Sequence, residues 1–201
     1  MSIVSVATRV ACHLAEAGID CVVVGGLAVE IYTGNRYQTL DIDMVNVSMN
    51  TQKALDAAMN SIGFVRKGRY YRNTTTQFFV EFPSPPLGVA DDITVKPVTI
   101  ATGSGTLQVL SAVDMIRDRL AWACNGTVDR QAITQSICLM LNQNRTPPEF
   151  SAFIRKQSES DSDYNLITTL CNNAYAKARE VGVTEMDDIE GIVENEFINL
   201  L

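Results

Sequence analysis

The spacing of apolar positions along this chain changes character partway through. Over residues 2–17, Ile3, Val6, Val10 and Leu14 recur at helical intervals, and Gly18 follows where a helix cap belongs. Cys21–Val24 is a short, uniformly apolar run, the pattern of a strand buried on both faces. A brief helix over 27–32 ends near Gly34, and a second apolar run at 39–47 reads as a strand although it carries Asp41 and Asp43. Residues 51–62 return to helical spacing through Ala54, Leu55, Ala58, Met59 and Ile62, and stop at Gly63. Strands are expected near 64–72, 77–82, 92–99 and 106–110, with Pro83, Pro85 and Pro86 forcing a loop after the second of these. From Ser111 onward the strand signals vanish. Helices over 112–124, 128–143, 147–157, 163–180 and 184–199 account for the remainder. The pattern predicts an α+β fold with a boundary near 110: a small mixed sheet flanked by helices over 1–110, then a helical bundle over 111–201.

Composition narrows the setting. A chain of 201 residues with 46% hydrophobic and 19% charged residues suits one soluble domain or two small ones. No apolar run approaches the roughly 18 residues needed to span a bilayer. The N-terminal apolar segment is interrupted by Arg9, His13 and Glu16, so it reads as an amphipathic helix and not as a signal peptide. Five scattered cysteines without a Cys-x-x-Cys spacing argue against a zinc site or a disulfide framework, and for reduced, buried thiols in the cytoplasm. With His13 the only histidine, His-rich metal sites are excluded and Ser-His-Asp catalysis nearly so.

The charge is uneven. A net charge of −7 opposes broad nucleic-acid binding, which rests on many phosphate contacts. Yet Arg66-Lys67-Gly68-Arg69-Tyr70-Tyr71-Arg72 gathers cations and aromatics, whereas residues 159–196 are mostly acidic. The basic stretch has two readings: a guide for an RNA or nucleotide substrate with its tyrosines stacking on bases, or a solvated hairpin near a sheet edge. The acidic segment at 185–196 is a solvated helix by default and a face for a basic partner otherwise.

Candidate chemistry is concentrated between residues 22 and 43. Residues i and i+2 of a strand share a face, so Asp41 and Asp43 project together from an otherwise apolar segment. Two neighbouring carboxylates repel each other and are costly to desolvate, and a divalent cation between them removes that cost. Oxygen donors of this kind suit Mg²⁺ or Mn²⁺. Gly25-Gly26 at the start of a helix allows backbone N–H groups to approach a phosphate closely. Taken singly, Gly-Gly also makes ordinary turns and Asp-x-Asp also ends solvated strands. In this order and at this separation they read as a metal–nucleotide site.

The same residues resemble the nucleotidyltransferase superfamily, the polymerase-β-like fold. Its pattern is an apolar strand, Gly-Gly or Gly-Ser, a short helix, an acidic-x-acidic pair on the next strand, and a third acidic residue on a later strand. Gly25-Gly26-Leu27-Ala28-Val29, Gly34-Asn35-Arg36 and Thr39-Leu40-Asp41-Ile42-Asp43 are similar to the bacterial abortive-infection and toxin–antitoxin group. Leu110-Ser111-Ala112-Val113-Asp114-Met115-Ile116-Arg117-Asp118-Arg119-Leu120 resembles that group's first motif in the helical domain. The following Ala121-Trp122-Ala123-Cys124-Asn125-Gly126 departs from its aromatic and polar character.

The resemblance implies a transfer of NMP from an NTP to a hydroxyl acceptor, which is an RNA or tRNA, a protein or a small molecule. Asp41, Asp43 and Glu81 are the implied catalytic and metal-binding residues, holding two Mg²⁺ or Mn²⁺ ions roughly 3.5–4 Å apart. Glu81 stands where the superfamily prefers aspartate, and its extra methylene moves the carboxylate outward by roughly 1 Å. The implied nucleotide-binding residues are Gly25, Gly26, Arg36, Thr39, Arg119 and Arg130. Arg119 has the alternative of an Arg–Asp network through Asp118 and Asp129, and Arg36 that of neutralising the carboxylates. Two further readings stand beside the toxin-type or phage-defence enzyme: a catalytically weak nucleotide- or partner-binding relative, and an antibiotic nucleotidyltransferase. A protein antitoxin is a further partner that the toxin reading implies.

Overall fold

A computed structural model describes residues 1–124, 126 and 128–200. The chain forms two compact units, one of Met1–Ile31 with Gln38–Ser111 and one of Tyr32–Tyr37 with Ala112–Leu201. Asn125, part of the segment that departs from the family pattern, lies outside the described residues.

The first unit is built on a seven-stranded mixed sheet. Helix α1 (Ile3–Glu16) opens it, with the Ser2 hydroxyl accepting the Ser5 N–H at 3.2 Å as its N-cap. The helix ends at Ala17, and Gly18 takes a left-handed φ of 73°. Strand β1 (Cys21–Val24) leads directly into α2 (Gly25–Tyr32), and β2 (Asp41–Asn46) returns antiparallel to β1. Helix α3 (Gln52–Ser61) precedes the hairpin of β3 (Val65–Lys67) and β4 (Tyr70–Arg72), and β5 (Phe79–Glu81) follows. Strands β6 (Val98–Thr102) and β7 (Gly105–Val109) form a second hairpin. The strand order is β3-β4-β5-β2-β1-β7-β6, with β2/β5 and β1/β7 parallel.

Period-two alternation divides this sheet into two different faces. Val23, Ile42, Met44, Tyr71, Val80, Leu107 and Val109 form a buried face, each at most 2% exposed. Helices α1 and α3 cover it: Tyr71 reaches Asp56 of α3, and a Cβ at Gly105 would meet Thr8 and Cys12 of α1. The neighbouring positions, Lys67, Tyr70, Arg72, Phe79, Glu81, Asp41 and Asp43, fall on the opposite face.

Two expectations shift. The strand expected at 92–99 begins only at Val98, because Pro97 lacks the N–H that a ladder requires. The segment expected near 64–72 is two short strands about a turn in which Gly68 has φ 65°.

The second unit is helical: α4 (Ala112–Ala123), α5 (Arg130–Asn142), a 3₁₀ turn (Pro147–Phe150), α6 (Ser151–Gln157), α7 (Asp161–Val181) and α8 (Met186–Leu200). Asp129 caps α5 by accepting the Ala132 N–H at 3.0 Å. Every residue of α5 from Ala132 to Met140 is buried, and this helix packs against α4, α7 and α8 at the unit's centre. No helix among the described residues is long and apolar enough to cross a membrane.

Candidate active site

The carboxylates lie on the central strands of the sheet. In the β1/β2 ladder Val24 stands opposite Asp43, and in the β2/β5 ladder Asp41 stands opposite Phe79 and Asp43 opposite Glu81. Partners in register share a face, so Asp41 and Asp43 of β2 and Glu81 of β5 project on the same side of two adjacent strands. Alternation within β2 accomplishes this: Ile42 and Met44 enter the core and thereby turn both aspartates away from it.

The surroundings of the pair are constrained. Asp41 Oδ1 is shielded from solvent and has no hydrogen-bond partner. Gly25 has φ 62°, a conformation that L side chains rarely adopt. A Cβ built on it would fall 2.2 Å from Asp43 Oδ2, so only glycine lets the chain pass this close to the carboxylate. Thr39 fixes the start of the strand, its hydroxyl accepting the Asp41 N–H at 3.1 Å. The Thr39 N–H in turn donates to Glu30 Oε2 at 3.0 Å. Glu30 is buried, and burial pushes its carboxyl up while the Thr39 N–H pulls it down.

These features fit a hard divalent cation. Two carboxylates on one face, one of them with a buried oxygen lacking a donor, form the oxygen-rich set that Mg²⁺ and Mn²⁺ favour. Asp41 and Asp43 are the residues that could hold it, with Glu81 beside Asp43 on the next strand. Among the described residues, however, no three His, Cys, Asp or Glu side chains already converge as a cage. Glu81 instead faces Arg69, whose Nε lies 3.4 Å from Glu81 Oε2. Arg69 also donates to the Tyr70 hydroxyl and lies 4.7 Å over that ring. Its guanidinium is held more firmly protonated by the Tyr70 hydroxyl first, then by the Glu81 and Asp41 carboxylates.

The other expected binding residues, Arg36, Arg119 and Arg130, belong to the second unit and have partners within it. Arg36 donates through Nη1 to Asn142 Oδ1 at 2.7 Å and to the Thr33 carbonyl at 2.9 Å, and through Nε to Thr184 and Glu185, each at 3.2 Å. Its contacts fasten the 32–37 segment to α5 and to the turn before α8. Arg119 donates to Asp118 and, at 3.3 Å, to Gln135 of α5, so it joins α4 to α5. Arg130 pairs with Glu194 at 2.6 Å and lies 4.9 Å over the Phe197 ring.

Of the two tyrosines in the basic stretch, Tyr71 is not available for stacking. It is 2% exposed, its hydroxyl donates to Asp56, and Gln52 donates to it at 2.6 Å. Alternation along β4 sends Tyr71 inward and leaves Tyr70 outside. Sequence reasoning missed Glu30 and the pairing of Arg69 with Glu81. A carboxylate inside an apolar helix was the available signal for the first, and an arginine following Gly68 at a hairpin turn for the second.

No protein-family model matches the chain, nor does any curated protein. Among solved structures it is similar to an antigenic nucleotidyltransferase-like protein from Paracoccidioides brasiliensis, with a TM-score of 0.50 and 17% identity, over 82% of this chain and 99% of that one. A second similarity, to the antibiotic-resistance factor ANT(2'')-Ia in solution, has a TM-score of 0.39 and 12% identity, over 87% of this chain and 93% of that one. The first of these likenesses, together with the mixed sheet and its flanking helices, establishes a nucleotidyltransferase-like fold.

Proposed function

We propose that this chain is a metal-dependent nucleotidyltransferase that moves an NMP from an NTP to a hydroxyl acceptor. The observation that carries the reading is the buried, unpartnered Oδ1 of Asp41 on the same face as Asp43, beside the chain at Gly25. A solvated strand end has no reason to bury a carboxylate oxygen without a donor, because that costs stability. A site that acquires a cation recovers the cost on binding. Mg²⁺ or Mn²⁺ held there would supply charge neutralisation and Lewis acidity toward the phosphates.

Asp41 and Asp43 would hold the cation, which would face the triphosphate. The Gly25-Gly26 start of α2 offers backbone N–H groups to phosphate oxygens. Glu81 receives the proton of the acceptor hydroxyl. The acceptor oxygen bonds to the α-phosphorus, the α–β phosphoanhydride bond breaks, and pyrophosphate leaves with the bonding electrons. The reading places the chain in the cytoplasm, in keeping with its five free cysteines.

Thermal melting with each NTP, with and without Mn²⁺, tests the reading on the wild type and on Asp43→Ala. Saturation at a hundredfold excess over Kd stabilises by roughly 2.7 kcal/mol, enough to displace the curve by several degrees. A metal-dependent displacement lost in Asp43→Ala is the expected result. No displacement with any NTP overturns it.

A further inference from the structure

The strand registers align more than the carboxylates. One row across the outer face runs Lys67, Tyr70, Glu81, Asp43, and the next runs Val65, Arg72, Phe79, Asp41. Neighbouring strands lie about 4.8 Å apart, so Tyr70 is roughly 10 Å and Lys67 roughly 14 Å from Asp43 along the row. A strip of cations and aromatic rings thus leads away from the carboxylates toward the β3 edge. Arg72 lies 4.8 Å over the Phe79 ring, and Tyr70 meets Phe79 edge-on at 4.8 Å. Arg69 stands above Tyr70. Where the strip reaches β3, a hollow of about 370 Å³ opens, lined among others by Lys67, Arg72, Thr74, Gln77 and Phe78.

The geometry points to this strip as the binding track for the 3′ end of a single-stranded polynucleotide, whose terminal hydroxyl is the acceptor. The inference rests on the nucleotidyl-transfer reading. Three properties select this occupant. The strip is cationic in a chain of net charge −7, so its charge is local and complementary to a phosphate backbone. Its cations alternate with aromatic rings, the combination that receives bases and phosphates of a single strand without demanding a sequence. It is continuous by register with the carboxylates, so a strand lying along it ends where the transfer occurs. A polycationic small molecule meets the opposite: Lys67, Arg69 and Arg72 repel it on the approach to Glu81.

Lys67 and Arg72 are exposed, so Lys67→Gln/Arg72→Gln removes two of the track's three cations without opening the core. Fluorescence anisotropy with labelled single-stranded oligonucleotides of about ten nucleotides measures binding, in an RNA and a DNA version of one sequence. Tighter binding of either version identifies the sugar; both are polynucleotide 3′ ends. The double variant is expected to bind at least tenfold more weakly, with a log K against log salt slope shallower by about 0.7 for each cation removed. The wild type is expected to extend the oligonucleotide from labelled NTP, and to fail when its 3′ hydroxyl is replaced by a phosphate. Equal binding by wild type and variant, or no wild-type binding at low salt, overturns the track. Melting with NTP and Mn²⁺ keeps the two readings apart. A displacement without oligonucleotide binding sinks the track alone, whereas oligonucleotide binding without a displacement sinks nucleotidyl transfer and leaves the track.

Discussion

Arg69 reaches from the β3–β4 turn to Glu81 on β5, with Nε and Oε2 3.4 Å apart, and feels the Asp41 carboxylate as well. An internal cation therefore balances the outer end of the acidic row. A metal that recruits Glu81 must first separate this pair. The arginine is 69% exposed and the pair is screened by water, so the competition is weak and the exchange easy. Arg69→Gln is expected to raise apparent Mn²⁺ affinity by a few-fold, read as a lower midpoint in a metal titration of melting temperature. An unchanged or higher midpoint rules out the competition.

Asp41 and Asp43 repel each other when no cation lies between them. Asp41→Asn removes one charge with little change of shape. The metal-free variant is expected to melt higher than the wild type, each 1 kcal/mol gained being worth about 2–4 °C at this chain length. The same variant is expected to lose the Mn²⁺-dependent displacement. A variant that melts lower without metal shows that the pair is not strained.

Across the buried face of the sheet, the Tyr71 hydroxyl donates to Asp56 and accepts from Gln52. Tyr71→Phe is expected to cost about 1 kcal/mol, below the usual range for a bond to a charged group, because the Asp56 side chain is 34% exposed and screened by water. The Asp56 carboxyl is held below its ordinary value of 3.8, first by the Tyr71 hydroxyl and then by Gln52 and Arg66. A depressed carboxyl stabilises the fold above its ordinary value and loses that contribution as pH falls through the lowered one. Urea midpoints measured below pH 4 are expected to fall less steeply for Tyr71→Phe than for the wild type.

Cys21, Cys124, Cys138 and Cys171 are buried, while Cys12 is half-exposed. Burial pushes the Cys21 and Cys171 thiols up to about 12, that of Cys138 to about 11, and raises Cys124 as well. Thiolates are the reactive form, so these four are protected twice, by access and by protonation. Titration with a disulfide reagent at pH 8 is expected to find one fast thiol in the native protein, lost in Cys12→Ser. Two or more fast thiols mean that a unit opens readily.

The alternation in 39–47 made the acidic strand legible, because Ile42 and Met44 can be buried only if Asp41 and Asp43 turn the other way. The apolar run is longer than the strand: Leu40 is 48% and Val47 40% exposed, since the strand begins after the first and ends before the second. The Arg69–Glu81 pair was not legible. It depends on which residues of the basic stretch fall in the turn, and periodicity does not fix a register within one residue. Arg36 adjoins the acidic strand in sequence but, besides the Thr33 carbonyl, hydrogen-bonds to Asn142 and Thr184, more than 100 positions away. Only the folded chain reveals partners that distant.

Gly25 offers the sharpest separation of site from scaffold. A left-handed φ costs an L residue about 1–2 kcal/mol, and alanine at 25 adds a methyl 2.2 Å from Asp43 Oδ2. The backbone is held by β1 on one side and α2 on the other, so the Asp43 side chain is the part that must give way. Gly25→Ala is thus expected to fold with a melting temperature lowered by several degrees, and to lose far more function than stability. Misplacement by about 1 Å costs on the order of 100-fold where positioning supplies the catalysis. Gly18→Ala is the control: it carries the same left-handed penalty at φ 73° but meets nothing within 4 Å. Similar melting temperatures, with NTP–Mn²⁺ binding lost only in Gly25→Ala, place the effect at Asp43. Equal binding by both variants refutes the role assigned to the close approach.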